Sequence, residues 1–166
     1  MKNYDAVVIG FGKGGKTLAG QMADKGWKVA VIEKSDKMYG GTCINVGCIP
    51  TKYLINEAAK NKFKKLNSFE EYAEEYKNII ENKNGLISLF RKKNYDNLND
   101  KENIDIYIGE GSFVNKKVIE VKMKDEVIQI KGERIFINTG AETVVPPIKG
   151  LRESRYVYDS EAIMEL

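Results

Sequence analysis

A strand, a glycine loop, a helix, a second strand and an acid follow one another without interruption between residues 4 and 33, and this order restricts the chain to an α/β fold. Residues 4–9 end in the run Ala6-Val7-Val8-Ile9, the pattern of a strand buried on both faces of a parallel sheet. Gly10-Phe11-Gly12-Lys13-Gly14-Gly15 comes next, and Leu18, Ala19, Met22 and Ala23 then recur at helical spacing before Gly26 ends the segment. Residues 29–32 form another apolar run that closes on Glu33. Such a unit holds a dinucleotide. Gly10 permits the tight turn, Gly12 the close approach of a pyrophosphate and Gly15 the packing of helix on strand, while Glu33 offers a carboxylate to a ribose hydroxyl.

The same loop supports a competing chemistry. Gly10 through Thr17 also fits Gly-x-x-x-x-Gly-Lys-Ser/Thr, the phosphate loop of nucleoside triphosphate hydrolases, with Lys16 on the terminal phosphates and Thr17 on magnesium. Glu33 at the end of the very next strand favours the dinucleotide. So does the lack of a strand-terminal aspartate for magnesium, because Asp105 falls inside the apolar run 104–108. On the dinucleotide reading Lys16 and Thr17 are the first turn of a helix, with Lys16 a solvated charge.

Residues 40–52 read Gly-Gly-Thr-Cys-Ile-Asn-Val-Gly-Cys-Ile-Pro-Thr-Lys and contain the chain's two cysteines. Pro50 suits the first turn of a helix, whose N–H groups lack partners, so a helix is expected to begin near Gly47 or Cys48. Cys48 then sits at the positive end of the helix dipole, where a thiolate is stabilised, and Lys52 follows one turn later on the same face. Two unrelated buried thiols are the plain alternative. Zinc is disfavoured, because the chain has no histidine and no other cysteine. A structural disulfide across so short a loop would remove little chain entropy, and no secretory signal precedes Tyr4. A reactive, cycling dithiol in a reducing cytosol is the favoured reading.

The two motifs together resemble the flavin-dependent pyridine nucleotide–disulfide oxidoreductases, the group of lipoamide dehydrogenase, glutathione reductase and mercuric reductase. Residues 133–147, a strand followed by Thr139-Gly140-Ala141 and two prolines, resemble that family's second flavin-contacting strand and turn. The resemblance implies a Rossmann-like FAD-binding domain over residues 1–150, with a parallel sheet flanked by helices and a small antiparallel β-meander. Residues 151–166 would be a connector toward an NAD(P)H-binding domain. Gly10, Gly12, Gly14 and Gly15 would surround the FAD pyrophosphate, and Glu33, with Lys34 beside it, would hold the adenosine ribose. Gly41, Thr42, Gly47 and Lys52 would line the pyrophosphate and flavin side. Glu110, Gly111 and Ser112 would pass the adenine, and Thr139, Gly140 and Ala141 would make the second flavin contact. Cys48 would be the thiol beside the flavin and Cys43 the outer thiol that meets substrate, with no metal in the site.

Electrons would pass from NAD(P)H through FAD to the cysteine pair and on to a small-molecule disulfide or oxidant. Residues 9–19 together with 38–45 also look like a bacterial branch associated with reactive chlorine species and hypothiocyanous acid reduction. At 166 residues the chain is one domain and about a third of the family's length. The complete protein is expected to be a homodimer. This chain alone is expected to retain FAD weakly and not to turn over with NAD(P)H; a truncated, non-catalytic nucleotide-binding module is the alternative.

The rest of the sequence speaks to architecture. Ser68 with Glu71 forms a capping box for a long amphipathic helix that carries Phe69, Tyr72, Tyr76, Ile79, Ile80, Ile87 and Phe90 as a core stripe, with an interruption at Gly85. Residues 92–101 are polar and read as a loop. Residues 104–108, 113–114, 117–122 and 126–131 read as short strands, with Ile119, Val121 and Met123 alternating against Val118, Glu120 and Lys122. The net charge of +3 comes from 27 basic and 24 acidic residues that are interspersed, which gives no case for nucleic acid. No apolar stretch approaches the about 20 residues needed to cross a bilayer, so a soluble cytoplasmic protein with no membrane partner is expected.

Overall fold

Alternation within the first two strands decides the layering. The computed structural model describes residues 1–166. β1 (Lys2–Ile9) leads through the glycine loop into α1 (Lys13–Asp24) and then β2 (Val29–Glu33). Ala6, Val8, Val29 and Val31 face one way, onto Ala19, Met22 and Ala23 of α1. Val7, Ile9, Ala30 and Ile32 face the other way and pack on Ile119, Val121 and Ile130. Both faces are therefore dry, which is why these strands read as unbroken apolar runs. Each fully buried Val or Ile contributes roughly 1.5–3 kcal/mol of transfer free energy.

The second face is covered by a meander of β4 (Glu110–Asn115), β5 (Val118–Lys122) and β6 (Val127–Ile137). Six strands form one sheet in the order β3-β2-β1-β6-β5-β4, where β3 is Ile104–Ile108. β3, β2, β1 and β6 run parallel, and β5 and β4 continue antiparallel. The meander folds back over the parallel strands, so a Cβ on Gly111 would lie 3.3 Å from Ile32 Cδ1. The architecture is the expected α/β layering: helices, parallel sheet, meander.

Three expectations from the sequence need correction. The segments 126–131 and 134–137 are one strand, β6, because Gly132 continues it; a Cβ there would come 2.7 Å from Val7 Cγ2, so only glycine lets β6 run flush against β1. The polar residues 92–101 are not a loop. α4 runs without interruption from Phe69 to Asn99, through Gly85. Its polar end is held by Leu98 in the core, by Tyr95 against Tyr39 at 4.9 Å between ring centroids and by the Lys92–Asp96 ion pair at 2.5 Å. Finally, the aromatic stripe divides. Ile79 and Ile87 are buried, whereas Phe69, Tyr72 and Tyr76 are exposed.

The predicted capping box closes with a shift of one residue: Ser68 Oγ accepts from Glu71 N at 3.3 Å, and the Glu71 carboxylate accepts from Asn67 N at 2.7 Å. Lys83 on α4 is wholly buried, and its amine donates to the Met164 carbonyl and pairs with Glu165 at 2.8 Å. That contact fastens the 3-10 turn Ala162–Glu165 to α4. No helix is long and apolar enough to cross a membrane.

Candidate functional site

Where β1, β2 and β6 end, the chain must turn three times within a small volume, and the glycines are what allow it. Gly10 has φ +105°, and a Cβ there would lie 2.2 Å from the Asn138 carbonyl oxygen. Gly10 N–H donates to Ile32 O at 2.7 Å and Asn138 N–H to Ile9 O at 2.8 Å, which laces the three strand ends together. A Cβ on Gly15 would meet Gly10 O at 2.4 Å and Val8 Cγ1 at 3.0 Å, the close packing of helix on strand that the sequence implied. α1 starts after Gly12 with no side-chain cap and no acidic residue in its first turn. Its first N–H groups and the positive end of its dipole are thus left to an external anion.

A second loop presses against the first. Gly41 has φ +75°, a Cβ on it would sit 2.7 Å from Gly12 Cα, and Gly40 N–H donates to Phe11 O at 3.1 Å. Behind them Phe11 is fully buried against Tyr39, 5.0 Å between centroids. The result is a cleft of about 830 Å³, within the usual range for a small-molecule site. Gly10, Gly12, Glu33, Lys34, Gly41, Thr42, Cys43, Glu110, Gly111, Thr139, Gly140 and Ala141 all line it. Gly14, Gly15, Gly47, Cys48, Lys52 and Ser112 do not; Gly15 packs beneath the loop, and Cys48 and Lys52 are exposed on α3 (Cys48–Asn61). A smaller hollow of about 310 Å³, between Tyr4, Lys28 and Glu133 at the other end of β1, shares no residue with the cleft.

Glu33 is buried, and its two carboxylate oxygens accept Phe11 N–H at 2.8 Å and Ser35 N–H at 3.2 Å. A carboxylate has about four acceptor positions, so two remain for a ribose hydroxyl pair.

The cysteines lie on either side of a helix break. Cys43 belongs to the short helix α2 (Thr42–Asn45), and Cys48 is the first residue of α3, with Gly47 as its N-cap. A Cβ on Gly47 would be 2.9 Å from Thr42 O, so glycine lets the turn close and bring the sulfurs together. Both are free thiols. Interaction with the Cys48 side chain, followed by burial, raises the Cys43 thiol above its ordinary range, while the Lys13 charge works in the opposite sense. The helix break is fixed from below by Asn45, whose amide donates to Tyr39 O at 3.1 Å and Gly41 O at 2.9 Å and whose carbonyl accepts Arg91 Nε at 2.9 Å.

Lys16 is not the solvated charge expected of it. Its amine reaches Asn94 on α4, and burial lowers its pKa, with the neighbouring Lys13 adding to the shift. Thr17 Oγ1 donates to Lys13 O at 2.7 Å. Asp105 accepts from Tyr4 at 2.5 Å and from Lys2 at 3.3 Å, away from the cleft. The lysine, hydroxyl and aspartate that a triphosphate with magnesium needs are thus turned elsewhere.

Asn138, Asn45 and Arg91 were not singled out by the sequence. Asn138 stands directly before Thr139-Gly140-Ala141, so its place at a strand end was visible, but its contacts reach 128 positions back to Gly10. Asn45 and Arg91 are separated by 46 positions and no local pattern links them.

The sequence profile described as pyridine nucleotide-disulphide oxidoreductase matches residues 4–165. The chain is 46% identical over 166 residues to the probable pyridine nucleotide-disulfide oxidoreductase RclA of Escherichia coli (strain K12), covering 100% of this chain and 35% of that protein. It is 31% identical over 166 residues to a mercuric reductase of Staphylococcus aureus, covering 97% of this chain and 29% of that protein. Among solved structures, the Cu(II) complex of the HOCl-induced flavoprotein disulfide reductase RclA from Escherichia coli superposes with a TM-score of 0.88 at 46% identity, over 100% of this chain and 35% of that one. The chain thus spans about a third of the length of these relatives.

Proposed function

The chain belongs to the pyridine nucleotide-disulphide oxidoreductase family, whose members bind FAD and take electrons from NAD(P)H, and on that premise we propose that its cleft holds FAD and that Cys43 and Cys48 form the redox pair the flavin serves. The observation that carries this reading is the meeting of two loops: Gly41, two residues before Cys43, lies against Gly12 of the dinucleotide loop, and Cys43 borders the same cleft. The residues fit the cofactor. Side chains are absent where a diphosphate must approach, α1 offers uncapped N–H groups, and Glu33 retains free acceptor positions.

FAD, when bound, supplies the electron pair that reduces a Cys43–Cys48 disulfide to the dithiol. The glycine loop holds the diphosphate, and Glu33 accepts from the ribose. The N-terminus of α3 stands behind the Cys48 sulfur. The substrate class is a small-molecule disulfide or a comparable oxidant. For a disulfide, Cys43 Sγ attacks one sulfur and releases the first thiol, leaving a mixed disulfide. Cys48 Sγ then attacks Cys43 Sγ, releases the second thiol and restores the Cys43–Cys48 bond. The two protons of the dithiol end on the two product thiols, and the substrate gains two electrons.

On this reading residues 1–150 are the FAD-binding part and 151–166 a connector. The NAD(P)H site lies outside these 166 residues, and the full-length protein is a cytoplasmic homodimer. Turnover with NADPH is not expected from these residues alone. Titration of the chain with FAD, followed by flavin fluorescence, tests the assignment. Saturable quenching reversed by ADP supports it. Binding of Mg-ATP with no response to FAD overturns it in favour of a triphosphate site.

A further inference from the structure

Gly10, Gly12, Gly14 and Gly15 make four glycines in six residues, more than any other stretch of that length in the chain, and each glycine adds backbone freedom. Something outside the loop must hold it in one shape before a ligand arrives. One residue touches all four positions. A Cβ on Gly10 would meet the Asn138 carbonyl at 2.2 Å; on Gly12, Asn138 Nδ2 at 3.0 Å; on Gly14, Asn138 Oδ1 at 3.0 Å; and on Gly15, Asn138 Nδ2 at 2.7 Å. For Gly12 and Gly14 no other residue comes among the three nearest neighbours within 4 Å. Asn138 is also fastened to the loop from both of its ends, by its backbone N–H to Ile9 O at 2.8 Å and by Nδ2 to Gly10 O at 3.3 Å.

We propose that Asn138 is a positioning residue for the dinucleotide, its carboxamide setting the shape of the glycine loop that receives the diphosphate. The inference rests on the reading of the cleft as a dinucleotide site. It adds that the glycines at 12 and 14 are demanded by a protein side chain as well as by the ligand. Without the carboxamide the loop samples other conformations, and binding must order it.

The test compares the chain with its Asn138→Ala variant by FAD and ADP titration, with far-UV circular dichroism to establish folding. One lost hydrogen bond and a loosened loop are expected to weaken both ligands about five- to tenfold. A readout that general loss of stability would not move comes from Gly12→Ala. Its melting temperature should fall in the otherwise unchanged chain and fall much less when Asn138→Ala is also present, because the atom its methyl strikes is gone. Should Asn138→Ala not fold, Asn138→Leu keeps roughly the size and adds no charge while removing the carboxamide's donor and acceptor, and it should weaken FAD at least as much. FAD affinity unchanged in the folded variant, with the parent chain binding FAD normally, overturns the role of Asn138 and leaves the cofactor assignment standing. A parent chain that takes up neither FAD nor ADP overturns both.

Discussion

The Glu33 carboxylate accepts the backbone N–H of Phe11 at 2.8 Å, so the acid that ends β2 is fastened to the glycine loop that follows β1. One side chain therefore shapes the loop and waits at its rim for a ribose. Glu33→Gln keeps the volume and loses the charge. Hydrogen bonds to a charged acceptor are worth more than neutral ones, so FAD affinity in Glu33→Gln should fall about tenfold or more, and the melting temperature should fall as well, because the amide has one acceptor oxygen for the two backbone N–H groups of Phe11 and Ser35. Equal affinity in an FAD titration would remove Glu33 from the binding site.

The Cys43 thiol is held above its ordinary range first by interaction with Cys48 and then by burial, and Lys13 pulls it down. The signs follow from removing each cause. In Cys48→Ala the largest raising interaction is gone, so the pH midpoint of Cys43 alkylation by iodoacetamide should move to lower pH. In Lys13→Gln a lowering charge is gone, and the midpoint should move to higher pH. Shifts in the same direction in both variants would contradict this electrostatic account.

Asn45 joins the end of α2 to Tyr39, Gly41 and Arg91 through three hydrogen bonds. It is buried, so Asn45→Ala leaves those partners unsatisfied and should cost about 2–3 kcal/mol of stability by urea unfolding. Because the same bonds set the turn between the cysteines, the folded variant should also form its disulfide more slowly with a small oxidant. An unchanged oxidation rate would separate Asn45 from the geometry of the dithiol.

Gly85 lies in the middle of α4, and a Cβ added there meets nothing within 4 Å. Gly85→Ala should stabilise the chain by about 1 kcal/mol, which raises the melting temperature by about 2–4 °C for a chain of this size. A lower melting temperature would mean that the helix needs flexibility at that point.

The parts of this fold that could be read from the sequence were those carried by local pattern. The two-sided apolar runs of β1 and β2, the glycine loop between them and the helix start at Cys48 each declare themselves within about ten residues. The meander was visible in the alternation of Ile119 and Val121. What escaped depends on distant neighbours. The last turns of α4 look like a loop because their composition is polar, and they are helical because Tyr95 meets Tyr39 and Leu98 enters the core formed by β1 and α1. β6 reads as two strands because Gly132 resembles a breaker, yet it is the point where β6 slides against Val7. Twelve of the expected site residues meet around one cleft. Asn138, which ties the loop of that cleft together, belongs to no motif.

Electron transfer as proposed requires the cysteine pair, of which Cys43 borders the cleft and Cys48 follows across the helix break, to lie beside the flavin. The direct measurement is the absorption spectrum of the FAD-loaded chain during anaerobic reduction by two electrons. A long-wavelength charge-transfer band should appear on reduction of the parent chain, be present already without reduction in Cys43→Ser, where the Cys48 sulfur faces the oxidised flavin and no disulfide can form, and be absent in Cys48→Ser. A bound flavin whose spectrum is the same in the parent chain and in Cys48→Ser would show that the sulfurs and the ring are not neighbours, and the proposed electron path would be wrong.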